Sequence, residues 1–304
     1  MNKELLDFVE QLLIKTEKNG FLLSDEKEIN YGVQLIFSKD NTTIPLNVYH
    51  SKKKGISTVI GGSPKNKLKL ILNHILERKK NHFAHEHDWD YWIGTDESGK
   101  GDFFGPLVVC GFIASKQIVE KLSEFGIKDS KLLKDDEIEK IAKKIYANFP
   151  KNIETIVLNP SKYNELYSEF RKQGKKLNEL LSWMHARVIL NMKKKNNFEG
   201  AVVDKFASDR TLIASLKGLK EISLIHKTKA ESDPAVAAAS IIARYNFLKK
   251  IKDLSRSYQI DFPKGASNHV LETGKIFAEK FGKEKFMEVA KLHFRTYNKI
   301  EEKL

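Results

Sequence analysis

Two adjacent carboxylates, Asp96 and Glu97, stand in the run Gly94-Thr-Asp96-Glu97-Ser98-Gly99-Lys100-Gly101-Asp102-Phe-Phe-Gly105-Pro106-Leu. Apolar stretches at residues 91–95 and 107–113 read as strands on either side of it. The glycines and Pro106 turn the chain between them. Successive strand residues face opposite sides of a sheet, so both acids can serve one site only where the strand is breaking. Carboxylates held together beside a buried strand repel each other unless a proton or a cation separates them. A divalent metal is the simplest answer.

The same letters nearly spell a phosphate-cradling loop. Gly94-x4-Gly99-Lys100 has the required spacing, but Gly101 stands where a Ser or Thr should bind magnesium. Asp96 and Glu97 inside such a loop would also repel phosphate. A polar hairpin turn without chemistry is the plainer alternative, since Asp and Gly are ordinary turn residues.

Other acids join this pair once the surrounding elements are traced. From residue 90 onward short apolar strands alternate with helices. Residues 137–148, 160–170 and 177–195 read as helical, 154–158 as a strand, and 201–204 as a short buried strand ending in Asp204. Helix 210–216 and strand 221–226 follow. Asp233-Pro234 then opens a strongly apolar helix rich in alanine, whose small residues suit close packing on a sheet. Just before it lies Lys229-Ala-Glu231-Ser-Asp233, which offers a fourth carboxylate twice. Asp204 alone could be a salt-bridge partner, and Asp233 a helix cap. Together, acids at strand ends along one sheet edge match a two-metal phosphodiester site, and their oxygen ligands suit Mg²⁺ or Mn²⁺. No Cys/His cluster competes for zinc.

The charge balance points to a polyanionic partner. The 304 residues carry a formal charge of +13, and residues 52–80 hold nine Lys or Arg against one acid, Glu77. That segment does not alternate in sign as a solvated helix face does, which favours nucleic-acid phosphate. No apolar run approaches the roughly 18–20 residues that cross a bilayer. Acids at Glu4, Asp7 and Glu10 are unlike a signal peptide. The single cysteine, Cys110, reads as core filler and fits a reducing cytoplasm.

Upstream of residue 90 the pattern is different. Residues 3–18 form an amphipathic helix with Leu5, Leu6, Phe8, Val9, Leu12 and Leu13 inward. A short strand at 21–23 follows. Two more have Val33, Leu35, Phe37 and Ile44, Leu46, Val48 at period two, with Lys39-Asp40-Asn41 as the hairpin turn. A fourth strand spans 57–60. Ser63-Pro64 opens a helix running to about Lys80, with Leu68, Ile71, Leu72, Ile75 and Leu76 inward. The helices and sheet make a small α+β unit. Residues 82–89, with His82, His85, His87 and Asp88, have no period and read as a solvated linker rather than a metal site.

Four motifs in order carry a resemblance: Asp96 through Leu107, Lys128-Asp-Ser-Lys131, Val203-Asp204, and Lys229-Ala-Glu231 followed by Ala237 through Arg244. They resemble the type 2 ribonucleases H, most closely the bacterial ribonuclease HIII group. The resemblance implies an α/β, RNase H-like catalytic domain at 90–304, a mixed sheet flanked by helices. Before it, across the 82–89 linker, would stand a small α+β domain at 1–81, similar to the TATA-binding-protein fold and binding substrate. It also implies metal-dependent cleavage of the RNA strand of RNA–DNA hybrids, leaving 3′-hydroxyl and 5′-phosphate ends, by a monomer. Carried over residue by residue, Asp96, Glu97, Asp204 and Glu231 would be both catalytic and metal-binding. Relatives in the ribonuclease HII group usually have Asp at the fourth place. Ser98, Gly99, Lys100, Gly101, Ser130 and Lys131 would contact substrate. Gly99-Lys100-Gly101 stands where the HII relatives have Gly-Arg-Gly, which puts a preference for single embedded ribonucleotides in question. A non-catalytic nucleic-acid-binding protein on the same fold is the alternative, although the complete acidic set argues against it.

Overall fold

The computed structural model describes residues 3–51, 55–63, 66–77, 87–127, 130, 133–205, 209–215 and 222–302. The chain divides into two compact units, Met1–His82 and Phe83–Leu304.

In the first unit, helix α1 (Lys3–Lys18) and helix α2 (Lys67–Glu77) cover one face of an antiparallel sheet. Its strands β1 (Leu22–Ile29), β2 (Gly32–Lys39), β3 (Thr42–Ser51) and β4 (Gly55–Ile60) lie in sequence order. Alternation decides the face. Val33, Leu35, Phe37, Ile44, Leu46 and Val48 are buried with Leu5, Val9 and Leu12. Leu6, expected inward, is exposed on the opposite side of α1. Lys39 pairs with Thr42 across Asp40 and Asn41, whose positive φ values make the tight turn. Strand β1 is far longer than its apolar start suggests, because pairing with β2 rather than burial holds its charged half. Helix α2 starts later than Ser63-Pro64 implied. Asn66 accepts the Leu68 amide at 2.9 Å and acts as its cap. Pro64 and Lys80 lie outside the described residues.

The second unit is built on a mixed five-stranded sheet in the order β7-β6-β5-β8-β9. These strands are β5 (Tyr91–Ser98), β6 (Leu107–Ser115), β7 (Ile153–Leu158), β8 (Gly200–Asp204) and β9 (Ser223–Lys227). β5 is antiparallel to β6 and parallel to β8. Between the strands run α3 (Lys116–Glu124), α4 (Asp135–Asn148), α5 (Pro160–Lys172), α6 (Leu177–Lys193) and α7 (Asp209–Ser215). After β9 come α8 (Pro234–Tyr258), α9 (Asn268–Phe281), α10 (Phe286–Val289) and α11 (Arg295–Glu301). Trp92, Val108, Cys110 and Phe112 face α8 and α4, while Ile93, Val109, Ile113 and Val203 face α6. Cys110 is fully buried, as core filler should be.

Helix α8 is apolar all round at its start because it lies directly on the sheet. A Cβ at Gly94 would stand 2.2 Å from the Val236 nitrogen, so this glycine serves helix–strand packing, not a phosphate loop. The fold class is the expected one. The supposed linker differs at its end: the His87 side chain is 4% exposed, stacked on Trp89 at 4.1 Å, with Nε2 3.6 Å from the Asp233 carboxylate. His82 and His85 lie outside the described residues. Among the described residues no helix is long and apolar enough to cross a membrane.

Candidate active site

The site lies where β8 stops. The last pair between β5 and β8 is Thr95 with Val203, and Asp204 ends β8. β5 does not break at Asp96, as the adjacent acids had suggested; it stays paired with β6 through Ser98 opposite Val108. Asp96 and Glu97 do point to opposite faces, towards Ser240 of α8 and His185 of α6. Both nevertheless border one cavity of about 290 Å³, together with Asp204 and Glu231, because β5 has lost its β8 neighbour there.

Each acid is held differently. The Asp204 carboxylate accepts the Ala230 amide at 3.0 Å. Lys229 is in the left-handed region, φ 58°, and opens the single 3₁₀ turn Ala230–Ser232. That turn carries Ala230 to Asp204 and Glu231 to the cavity. Two residues on, Asp233 is 1% exposed and turned away. Its carboxylate accepts from Ala235 and Val236 amides and from Trp92 Nε1, capping α8.

Glu97 Oε2 lies 3.3 Å from His185 Nε2, and Thr95 Oγ1 lies 2.8 Å from His185 Nδ1. A carboxylate only accepts, so His185 Nε2 carries a proton towards Glu97. Lys100 Nζ stands 3.5 Å from the other Glu97 oxygen. Burial pushes Glu97 up, but the bond and charge of His185 and the Lys100 ammonium outweigh it and leave the carboxyl below its ordinary value. Asp96 goes the other way. Burial first, then the charges of Glu97 and Asp204, push it up to about 8, against hydrogen bonds from Ser240 and the Glu97 amide.

The residues expected to contact substrate are arranged around this floor. Gly99 has φ 91°, and a Cβ there would meet the Pro106 carbonyl at 2.2 Å, so only glycine makes the turn. Ser98, Gly99, Lys100 and Gly101 border the cavity. Ser130 also borders it but is nearly buried, its hydroxyl 2.7 Å from that of Ser240. The two hydroxyls share one hydrogen bond beside Asp96, and either can be its donor. Arg244 donates to the Ser130 carbonyl and, at 2.7 Å, to Asp135. Lys131 lies outside the described residues. His185, Ser240 and Arg244 escaped assignment from sequence. Ser240 and Arg244 sit within a recognised motif, and the signal for His185 was a lone polar ring among the buried residues of α6, Leu181, Met184, Val188 and Ile189.

An all-carboxylate oxygen donor set fits a hard divalent cation, which would also relieve the repulsion that raises Asp96. Among the described residues, no three His, Cys, Asp or Glu side chains stand as a preformed metal cage. Glu97 and Asp204 each face a protein donor of their own, His185 and the Ala230 amide.

Residues 93–297 match the family model described as Ribonuclease HII. The chain is 39% identical over 269 residues to ribonuclease HIII of Chlamydia pneumoniae, covering 87% of each protein. It is 40% identical over 212 residues to that of Protochlamydia amoebophila, covering 68% of this chain and 67% of the relative. Among solved structures it is similar to Bst-RNase HIII in complex with Mn²⁺, at 25% identity and a TM-score of 0.65 over 99% of this chain and 96% of the other.

Proposed function

We propose that this chain, which belongs to the ribonuclease HII family and to its ribonuclease HIII group, cuts the RNA strand of RNA–DNA hybrids at the cavity bordered by Asp96, Glu97, Asp204 and Glu231. The chain is an endoribonuclease H. Hybrid as substrate, the two-metal mechanism and the 3′-hydroxyl and 5′-phosphate products belong to this proposal. The observation that carries it is the convergence of four carboxylates from β5, β8 and the turn before α8 on one cavity.

The four acids would hold Mg²⁺ or Mn²⁺, and a relative solved with Mn²⁺ supports that pair. Bound there, the cations would activate a water and stabilise the leaving oxygen. The chain's own residues do the rest. His185 and Lys100 keep Glu97 ionised and oriented. The Ser130–Ser240 hydroxyl chain and the Glu97 amide orient Asp96. The side-chain-free approach to Gly99 and Gly101 lets backbone amides near a sugar-phosphate, where a 2′-hydroxyl separates RNA from DNA. Lys100 is then shared between Glu97 and phosphate, and Lys131 is a further phosphate ligand. The basic first unit supplies sequence-independent phosphate contacts. We take the chain to work as a cytoplasmic monomer.

Labelled hybrid, RNA duplex and DNA duplex incubated with the protein and Mg²⁺, then Mn²⁺, test the reading. Hybrid alone should be cut, leaving ends that a polymerase extends. Hybrid bound but uncut with either ion contradicts it.

A further inference from the structure

The four residues that follow the Gly99-Lys100-Gly101 turn are tied to one buried cation. Lys291 is 1% exposed, and its Nζ donates to the carbonyls of Asp102 and Gly105, both at 2.7 Å, and reaches that of Phe104 at 3.5 Å. The backbone around it joins in. Lys291 N–H donates to the Phe103 carbonyl at 2.9 Å, and Gly105 N–H to the Val289 carbonyl at 2.8 Å. Phe104 and Ala290 form an isolated antiparallel bridge. From the other side, the Asp102 carboxylate accepts the Gly265 amide at 2.6 Å, and Phe103 N–H donates to the Gly265 carbonyl at 2.9 Å. Residues far along the chain thus grip 102–105 from both sides.

An ammonium is an expensive way to fill that space. Burial pushes Lys291 down to about 7, with only the Asp102 charge pulling upward. The neighbouring His293 is itself pushed down to about 4 by burial and by Lys291, and the Tyr163 ring centre lies 5.9 Å from Nζ. An apolar side chain of similar volume would pack there at less cost. What it could not do is donate to the Asp102 and Gly105 carbonyls of one short segment. Gly101, by contrast, is exposed, with nothing within 4 Å of where a Cβ would stand. The turn is therefore rigid at its base and open on its ligand side.

We infer that Lys291 is a positioning residue for substrate: by holding 102–105 it sets the orientation of the Gly99-Lys100-Gly101 amides towards the sugar-phosphate. This rests on the reading that the turn grips the hybrid. The test compares the full-length protein with Lys291→Met and Gly101→Val, measuring hybrid dissociation constants in EDTA and kcat and KM in Mg²⁺. Gly101→Val probes the turn itself, since a Cβ there has nothing within 4 Å. Lys291→Met should raise Kd and KM about tenfold while kcat at saturating hybrid moves less than about twofold. A merely destabilised protein would show the opposite split, a lower active fraction at unchanged KM. Gly101→Val weakening binding while Lys291→Met does not overturns the inference alone. If neither weakens binding, the substrate-turn reading fails and takes the inference with it. Should Lys291→Met not fold, hydrogen exchange of the wild-type protein decides. The Phe103 and Gly105 amides should exchange far more slowly than those of the exposed Asp40–Asn41 turn, and equal rates overturn the inference.

Discussion

Asp96 lies on Trp92's strand and Asp233 accepts from the Trp92 indole, yet the two aspartates have opposite surroundings. At the start of α8, Asp233 is surrounded by donors: two helix amides and the Trp92 indole at 2.9–3.2 Å. On the cavity floor, Asp96 has the Glu97 amide at 2.8 Å and Ser240, set against two neighbouring acids, and is pushed up to about 8. A buried carboxylate whose lone pairs are filled by protein donors stabilises a fold, and one crowded by other carboxylates costs stability. The second kind persists where a cation or substrate supplies what the protein withholds. The contrast is the ground, independent of motif, on which Asp233 is assigned to the fold and Asp96 is proposed for the site.

The largest effect expected from this contrast is at Asp204, which shares the cavity with Asp96. Asp204→Asn keeps the shape but removes charge, and should lower turnover on the order of a thousandfold, about 4 kcal/mol of barrier, with hybrid binding preserved. Single-turnover rates and a binding titration check it, and near wild-type turnover would remove Asp204 from the site.

A smaller effect should follow from loosening Glu97 while leaving it in place. His185→Leu removes the ring between Thr95 and Glu97. Calorimetric titration with Mn²⁺ should show affinity weakened about 10- to 100-fold, as for other residues that orient metal ligands. Hybrid affinity without metal should stay close to wild type. An unchanged Mn²⁺ titration would make His185 a core residue and nothing more.

Lys291 poses the same contrast with the sign reversed. Its folded pKa, about 7, lies below the 10.5 of an exposed lysine. Between those values the unfolded chain binds the extra proton, so stability rises with pH through that window. Compared with Lys291→Met, the wild-type protein should gain up to ~1.4 kcal/mol per pH unit from pH 7 upward. Urea unfolding of both proteins at several pH values measures it. A constant difference would mean that the carbonyls satisfy the ammonium as fully as Asp233 is satisfied.

Legibility from sequence followed the same physics. Asp96 and Glu97 were visible because two adjacent acids at the end of an apolar strand need something to offset their repulsion, and the alternating faces of β2 and β3 were visible because one face is buried. β1 was read too short because its Ser24 through Glu28 stretch is exposed on both faces and carries no alternation. α3 was missed: its only fully buried side chain is Leu122, and its Ser115 cap hides at the end of an apolar strand. His87 looked solvated because Asp233 lies far along the chain and its ring contacts with Trp89 and Trp92 follow no helix or strand period. His185 was hidden for the same reason. Contacts across the sheet leave no local period.

The most direct test of the central claim uses two acids two residues apart. Glu231 borders the cavity, and Asp233 caps α8. Turnover across Mg²⁺ concentrations and melting temperature are measured for Glu231→Gln and Asp233→Asn. The account predicts that Glu231→Gln loses about a hundredfold or more in turnover with little change in melting temperature. Asp233→Asn, which still caps, should keep most of its turnover and melt somewhat lower, by a fraction of the ~1 kcal/mol a cap is worth. A dead Asp233→Asn beside an active Glu231→Gln would contradict the account.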